Sequence, residues 1–269
     1  MQADGTQAPA WQEAPGPDDG PVQVVILAAG MGTRLGRSLP KPLATLDDGR
    51  SILQQQLDGI RSVFGPDTSI TVVVGYESQQ LMQAAPDLLF AYNPDFTSTN
   101  TARSLLRALR TSRPGGVLWL NGDVVFEPAV LDATAELVRS GQSFVCVDTA
   151  TVAEEEVKYT LDGEGFILEL SKTVVGGVGE AVGINHVSSR DKAVLIEHLA
   201  RCADDDYFER GVETAIADDG LRFWPVDISR FAAVEVDFES DLVRANRSLA
   251  ARRPATAGRG KDLIAGAAN

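Results

Sequence analysis

A glycine-rich segment that directly follows an apolar run is the part of the sequence best suited to binding phosphate. It reads VVILAAGMGTRLGRSLPKPL and contains Gly30, Gly32 and Gly36, with Arg34 and Lys41 among and after them. Glycines allow backbone N–H groups to approach a phosphate chain closely, and an arginine can donate two hydrogen bonds to phosphate oxygens. Prolines flank the lysine, so we expect a stiff loop that holds its ammonium group in one position. The segment therefore predicts a triphosphate site.

Two other interpretations of this loop were weighed against the triphosphate site. A dinucleotide-binding loop also places glycines after a strand, but it requires a helix that begins at the loop and an acidic residue about 20 residues further on. Pro40 and Pro42 stand where that helix would run, and the later stretch DDGRSILQQQL predicts a turn and a helix start. A turn with purely structural glycines is the second alternative.

Two aspartates follow apolar runs, as carboxylates at ligand crevices of α/β sheets do. Asp123 comes after VLWLNG, and Asp237 ends AAVEVD. Position alone equally allows Asp123 to be a turn residue, and Asp237 could cap the helix predicted from FESDL. As metal ligands, the two carboxylates should lie within about 8 Å of each other, at the carboxyl ends of strands. Glu235 faces the same side of its strand as Asp237 and is a candidate to support the site.

The histidines and cysteines have structural explanations. His186 falls in an alternating strand and His198 in a helix, and neither lies near a nucleophile motif. Phosphoryl-transfer chemistry at a triphosphate site needs no such nucleophile, because it depends on positioning and charge neutralisation. Cys146 and Cys202 lack metal-binding or disulfide spacing, so we expect two buried free thiols in a reducing compartment.

The elements that must position these residues alternate through the first half of the chain. Between residues 22 and 148, short apolar strands and amphipathic helices follow one another four times, which predicts a mostly parallel sheet with helices on both faces. After Asp148, EEVKYTLDGEGFILELSK predicts two antiparallel strands around a turn. The fold class is therefore α/β, doubly wound and Rossmann-like, with a mixed sheet. We expect one domain over 22–250, with disordered or flexible tails at 1–21 and 251–269.

Composition excludes several classes of partner. The net charge is −14, from 38 acidic and 24 basic residues, so a nucleic acid or an anionic membrane is not an expected partner. The sequence contains no apolar run of 18 residues, and its first 21 residues lack the apolar region of a signal peptide. We therefore expect a cytoplasmic protein.

Several motifs together resemble the nucleotidyltransferases that make nucleotide-sugars and CDP-alcohols. They are LAAGMGTRLG…PKPL, VVVGY, NTARSLLRAL, LNGDVVF, GEAVGI and VEVDFESDL. The helix motif NTARSLLRAL is most similar to that of the cytidylyltransferases acting on phosphocholine, inositol phosphate or aminoethylphosphonate. The resemblance implies Mg²⁺-dependent attack of a phosphorylated or phosphonate acceptor on the α-phosphorus of a nucleoside triphosphate, CTP above the others, with release of pyrophosphate. Only six residues separate Arg34 from Lys41, unlike the longer loop of sugar pyrophosphorylases.

The resemblance also implies residue roles. Arg34 would hold the β,γ end of the triphosphate, Lys41 would neutralise charge around the α-phosphorus, and Asp123 and Asp237 would bind Mg²⁺. The nucleotide-binding set is Ala28, Ala29, Gly30, Gly32, Thr33, Gly75 and Asp123, and the acceptor-binding set is Asn100, Lys158, Lys172 and Glu180. A UTP- or GTP-dependent sugar-phosphate transferase and a non-catalytic nucleotide-binding regulator stay open as alternatives, as does a homodimer.

Overall fold

A computed structural model describes residues 20–32, 35–36, 39–150, 152 and 155–251 of the chain. Thr33 and Arg34 lie outside these residues, so the roles predicted for them stay predictions. The same holds for nearly all of the two predicted tails.

The described residues form eleven strands, seven helices and a short 3-10 helix. The strands are β1 (Gln23–Ala28), β2 (Ser69–Val74), β3 (Leu89–Tyr92), β4 (Val117–Asn121), β5 (Val124–Phe126), β6 (Phe144–Asp148), β7 (Lys158–Leu161), β8 (Ile167–Ser171), β9 (Glu180–Val187), β10 (Trp224–Asp227) and β11 (Ala233–Glu235). The helices are α1 (Ile52–Phe64), α2 (Ser78–Ala84), α3 (Thr101–Thr111), α4 (Ala129–Arg139), α5 (Lys192–Arg201), α6 (Phe208–Asp219) and α7 (Glu239–Ala251), and the 3-10 helix is Lys41–Leu43.

Seven strands form the central path of the sheet in the order β3-β2-β1-β4-β9-β6-β10. The pairs β3–β2, β2–β1, β1–β4 and β6–β10 are parallel, whereas β9 is antiparallel to both of its neighbours. The hairpin of β7 and β8 joins the sheet through β9. This arrangement confirms the predicted mixed, mostly parallel sheet and its antiparallel insertion.

The two faces of the sheet are covered by different helices, as in a doubly wound fold. Helices α3, α5 and α6 pack on one face, where buried Leu105, Leu195 and Phe208 belong to a single apolar cluster. Helices α1, α2 and α4 cover the other face through a second cluster that contains Leu53 and Leu131. The central strands β1, β4 and β6 are buried along nearly their whole length, so they read as continuous apolar runs, which is why the sequence located them.

A third apolar cluster lies beside the sheet and includes a strand that we expected to end at the carboxyl edge of the main sheet. Strand β11 does not join the central sheet; it pairs antiparallel with β5, a three-residue strand that the sequence analysis did not separate from β4. The cluster joins this ribbon to α7 and to the chain after the glycine loop. Its buried members are Leu35, Ala44, Leu46, Ile52, Val125, Val234, Val236, Leu242 and Ala245.

The structure bears on the predictions made for the cysteines and for membrane-spanning segments. Cys146 and Cys202 are buried free thiols, as predicted. Among the residues that the structure describes, no helix combines the length and the apolar character needed to cross a bilayer.

Candidate active site

A cleft of about 310 Å³ opens beyond the carboxyl ends of β1 and β4. The glycine loop, the 3-10 helix and the segment after β11 form one side, and the starts of α3 and α6 form another. Ligands of open α/β sheets bind in this position, beyond the carboxyl ends of the parallel strands. The cleft is therefore where the sequence-predicted groups should meet.

Asp123 lies in the tight connection between β4 and β5, and a buried glutamine fixes that connection. The Gln56 side chain, on α1, donates to the carbonyl oxygens of Asn121 at 2.9 Å and of Val124 at 2.8 Å. The amide of Gly122 donates to Leu27 O at 2.9 Å, and a Cβ at this position would lie only 2.7 Å from that oxygen. The chain therefore turns close against β1, and the carboxylate faces the cleft.

Asp237 reaches the same place by a different route from the one expected. It follows β11, whose residue Glu235 pairs with Val124 on β5, and the amide of Val236 donates to Asp123 O at 3.0 Å. The helix-capping role is taken by Asp241, which accepts hydrogen bonds from the amides of Asp237 and its neighbour. The aspartates thus converge through an antiparallel ribbon, not through two strand ends of one parallel sheet.

Three carboxylates meet in the cleft. Asp123, Glu235 and Asp237 each place an oxygen within 4.8 Å of the others. The proximity expected for Asp123 and Asp237 is confirmed. The structure adds Glu235 to the cluster itself, where the sequence had suggested only a supporting position.

Lys41 bridges this acidic cluster. Its Nζ lies 3.1 Å from Asp123 Oδ2 and also hydrogen-bonds Asp237 Oδ1, and only 13% of its side chain is exposed. The sequence predicts a fixed position for this ammonium group but not its burial between two carboxylates. The Pro-Lys-Pro sequence forms a 3-10 turn instead of a loop, and buried Pro42 packs inward. Gly32 has φ +58°, and a Cβ there would lie 2.7 Å from Lys41 Cγ, so this glycine makes room for the lysine stem.

The charged groups of the cluster change one another's pKa values. Burial alone would lower the pKa of Lys41, but the charges and hydrogen bonds of Asp123 and Asp237 outweigh it and raise that pKa. Burial raises the pKa of Asp123, against the opposing effect of Lys41. Burial and then the neighbouring carboxylates raise the pKa of Glu235 to about 8. One lysine thus does not compensate three clustered acids, which favours a further cation at this position.

The donor set fits a hard divalent cation. Mg²⁺ takes oxygen ligands and combines one or two carboxylates with phosphate oxygens and water. Asp123 and Asp237 supply two such carboxylates beside the glycine loop, and Glu235 supplies a third within the same 4.8 Å group. Neither histidine of the chain lines the cleft. The chemistry of the site therefore suits Mg²⁺ and a polyphosphate together.

The other end of the cleft is formed by Lys172, Tyr207 and Glu209. Lys172 Nζ lies 5.0 Å from the centroid of the Tyr207 ring. The start of α6 is tied to the start of α3, because the amide of Phe208 donates to Thr101 Oγ1 at 3.0 Å. Glu209 is 7% exposed, and burial raises its pKa to about 7. A cation and a buried acid therefore face a common space at this end.

The remaining predicted acceptor residues are not all in this cleft. Lys158 and Glu180 are cross-strand neighbours on β7 and β9, and neither lines it. Asn100 caps α3 through Oδ1, its Nδ2 donates to Asp205 O, and it lines a smaller adjoining pocket. Lys172 is the one acceptor candidate that lines the main cleft. The acceptor roles of all four stay predictions.

The predicted nucleotide-binding residues are distributed around the glycine loop. Gly30 lines both the main cleft and the smaller pocket, and Ala29 lines the smaller one. Ala28 is buried at the end of β1. Gly75 packs beside this loop, because a Cβ there would lie 2.7 Å from Ala29 O and 2.6 Å from Phe96 Cβ. These positions shape the loop, and their nucleotide-binding roles stay predictions.

Sequence reasoning missed Thr101, Glu209 and Gln56. A glutamate in the first turn of a helix is usually a solvent-exposed partner of the helix dipole, so nothing local marked Glu209 as buried. The signal that existed was Gly211, whose missing side chain lets α6 approach α5: a Cβ there would lie 2.6 Å from Leu199 Cδ2. Gln56 lies on the buried face of α1, where an amide needs internal partners.

The sequence is similar to those of two kinds of curated protein. A CMP-5'-(3-aminopropyl)phosphonate synthase from Streptomyces rubellomurinus is 28% identical over 267 aligned positions, covering 86% of this chain and 39% of that protein. The bifunctional protein GlmU of Acaryochloris marina is 32% identical over 133 positions, covering 48% of this chain and 29% of its own. The chain thus spans less than half the length of these curated relatives.

Solved structures share the fold at low sequence identity. The inositol-1-phosphate CTP transferase of T. maritima superposes with a TM-score of 0.69 at 16% identity, covering 86% of this chain and 96% of its own. The CTP:phosphocholine cytidylyltransferase of Streptococcus pneumoniae gives 0.68 at 16% identity, covering 85% and 99%. The family model described as the MobA-like NTP transferase domain matches residues 24–221, from β1 to the end of α6. That match spans the glycine loop, Lys41 and Asp123, and the chain belongs to the MobA-like NTP transferase family.

Proposed function

We propose that this protein is a CTP-dependent nucleotidyltransferase whose acceptor is a small phosphorylated or phosphonate molecule. The observation that carries the proposal is the bridging of Asp123 and Asp237 by Lys41 at the mouth of the glycine loop. A mostly buried lysine between clustered acids, beside glycines that admit phosphate, is an arrangement suited to polyanions and a divalent cation.

In the proposed reaction the nucleophile is the acceptor, not water. An oxygen of the acceptor phosphate or phosphonate forms a bond to the α-phosphorus of CTP. The bond from that phosphorus to the oxygen bridging the β-phosphorus breaks, and pyrophosphate leaves with the electron pair. A phosphonate acceptor gives a CMP-linked product.

The chain's residues contribute positioning and charge. Lys41 is preorganised by its 3-10 turn and by two carboxylates, so its ammonium can neutralise charge that develops around the α-phosphorus. Asp123 and Asp237 would hold Mg²⁺, with Glu235 beside them. When bound, Mg²⁺ would neutralise charge on the triphosphate and the departing pyrophosphate. The role of Arg34 at the β,γ end stays part of the proposal.

The preference for CTP and for a phosphonate or phosphate acceptor draws on the relatives. One curated relative is named as a synthase of a CMP-linked phosphonate, and two solved structures of the same fold are titled as CTP-dependent transferases. The GlmU proteins match over about half of this chain, so sugar phosphates belong among the acceptors to be tested.

A grid of substrates tests the proposal. CTP, UTP, GTP and ATP are each combined with 2-aminoethylphosphonate, phosphocholine, inositol phosphate and glucose 1-phosphate, with Mg²⁺ present, and pyrophosphate release is measured. We expect release with CTP and one of the first three acceptors. Release confined to UTP or GTP with glucose 1-phosphate would replace the cytidylyl assignment, and no release from any pair would overturn the transferase proposal.

A further inference from the structure

Glu209 carries a carboxylate oxygen that the described residues leave without a partner. Its Oε2 is buried and accepts no hydrogen bond, although the residue lines the main cleft. A buried acceptor without a partner is costly, and an ionised one more so. Such groups call for a partner from outside the described chain.

The neighbours of Glu209 limit what that partner can be. Lys172 acts on it electrostatically and lies over the Tyr207 ring, so the exposed aromatic surface here already faces an ammonium group of the chain itself. A quaternary ammonium is recognised mainly by aromatic faces and has no N–H to donate. A carboxylate that lacks a hydrogen-bond donor is satisfied by a group that carries N–H or O–H bonds, and an ammonium N–H also compensates its charge.

The position of Glu209 also sets the geometry of the ligand. The acidic cluster with Lys41, the ammonium of Lys172 and the carboxylate of Glu209 line the same cleft. The terminal torsion of a glutamate is broad, so its carboxylate can turn toward the cleft without leaving a favoured rotamer. An acceptor that is anionic at one end and carries a donor cation at the other is complementary to a cleft that contains both lysines and the unpartnered acid.

We infer that Glu209 is the specificity residue for a primary ammonium group on the acceptor, whose phosphonate or phosphate end reacts at the nucleotide. The substrate class is thus an aminoalkyl phosphonate or phosphate, preferred over its quaternary and uncharged counterparts. This inference rests on the proposed function and names the acceptor of that same site.

The test compares acceptors that differ only at the amine. Pyrophosphate release with CTP and Mg²⁺ is measured for 2-aminoethylphosphonate, its N,N,N-trimethyl derivative and ethylphosphonate, using the full chain. In the wild-type protein we expect kcat/KM for the primary amine to exceed that for ethylphosphonate by about 10- to 100-fold, the scale of a charge-assisted hydrogen bond. The trimethyl derivative should resemble ethylphosphonate.

Two variants assign the effect to Glu209. Glu209→Gln keeps the shape and removes the charge, and the ratio between the primary amine and ethylphosphonate should collapse to below about threefold, mainly through KM of the acceptor. Glu209→Asp keeps the charge on a shorter stem and should retain part of the ratio. Glu197→Gln on α5 removes the same charge from an exposed site and should keep the wild-type ratio.

The outcomes separate the two levels of the proposal. Release with other acceptors but no preference for the primary amine in the wild-type protein overturns the inference and leaves the transferase intact. A preference that survives Glu209→Gln assigns ammonium recognition to another residue and overturns the role of Glu209. Absence of release with every nucleotide and acceptor overturns both. If Glu209→Gln does not fold, as judged by its melting curve, the wild-type comparison and Glu209→Asp still decide.

Discussion

Lys41 lies between the carboxylates of Asp123 and Asp237, so the acidic cluster contains a cation that belongs to the chain. Removal of Lys41 should therefore affect the stability of the protein as well as its turnover. An exposed lysine contributes little to stability, whereas a buried one that compensates two acids leaves them repelling each other when it is lost. A substitution of Lys41 should therefore lower both the turnover rate and the free energy of unfolding.

Lys41→Ala should lower kcat by about 100-fold or more, the scale of losing one preorganised charge donor. It should also lower the melting temperature of the metal-free protein, because the two aspartates lose their shared cation. Added Mg²⁺ should restore more stability to the variant than to the wild-type protein, since the metal then provides the missing charge. Lys41→Arg keeps the charge and serves as the control. Near-normal turnover in the alanine variant would remove Lys41 from the mechanism.

Asp123 and Asp237 should behave as one unit, because their carboxylate oxygens share one 4.8 Å group with Glu235. Asp123→Asn and Asp237→Asn should each nearly abolish turnover, and the double variant should be little worse than either. Steady-state rates across a Mg²⁺ titration measure this coupling. Asp241→Asn is a useful companion, because its carboxylate holds the backbone at Asp237 without joining the cluster. Losses that multiply in the double variant would contradict a shared ion.

At the scale of elements, the ribbon of β5 and β11 and the third apolar cluster hold the acidic site together. Helix α7 contributes Leu242 to that cluster, and its first turn provides the carboxylate that holds the amide of Asp237. The precision of the site therefore depends on a helix that does not itself line the cleft.

Leu242→Ala should destabilise the protein by about 2–5 kcal/mol, as expected for a buried leucine that leaves a cavity. It should also raise the Mg²⁺ concentration needed for half-maximal turnover, because α7 no longer holds Asp237 firmly. The adjacent Val243, 44% exposed, provides the control: Val243→Ala should stay within about 0.5 kcal/mol. Chemical denaturation and Mg²⁺ titration measure the two effects. Lost stability with an unaltered Mg²⁺ requirement would restrict α7 to a packing role.

The same ribbon shows where sequence reasoning succeeded and where it could not. The convergence of Asp123 and Asp237 was predictable from strand ends, but the route was not, because three-residue β5 has no periodicity separate from β4. The burial of Lys41 was missed because Pro-Lys-Pro indicates a stiff loop and does not reveal a 3-10 turn packed on another segment. Glu209 was missed because its burial depends on α6 packing against α5, which is a long-range contact.

At the scale of the whole molecule, the net charge of −14 coexists with a cleft for which we propose anionic ligands. The acids in the cleft add to the repulsion among negative charges. Because burial changes their pKa values, they also make the free energy of unfolding depend on pH. The pKa of Glu209 rises from 4.5 to about 7 through burial, so the folded state binds its proton more readily than the unfolded state does. The contribution of Glu209 to the free energy of unfolding therefore increases as the pH falls from above 7 toward 4.5.

Glu209→Gln should remove this part of the pH dependence. The difference between wild-type and variant unfolding free energies, measured by denaturation in the absence of ligand at pH 9 and pH 5, should change in favour of the wild-type protein at the lower pH. The change is at most on the order of 3 kcal/mol, from 2.5 pH units at 1.36 kcal/mol each. Glu197→Gln, at an exposed position, should show no such change. A constant difference for Glu209→Gln would contradict a buried, proton-binding carboxyl group.

The pairing of β5 with β11 has a consequence for the order in which the site is assembled. Asp123 emerges from the ribosome well before Asp237, yet the amide of Val236 bonds to the carbonyl of Asp123 and brings the second carboxylate into place. A nascent chain that has already formed β1 to β4 still lacks two of the three carboxylates of its acidic cluster, Glu235 and Asp237. The complete acidic cluster therefore forms only after β11 has been synthesised and has paired with β5, so affinity for a divalent cation would report whether this ribbon has formed.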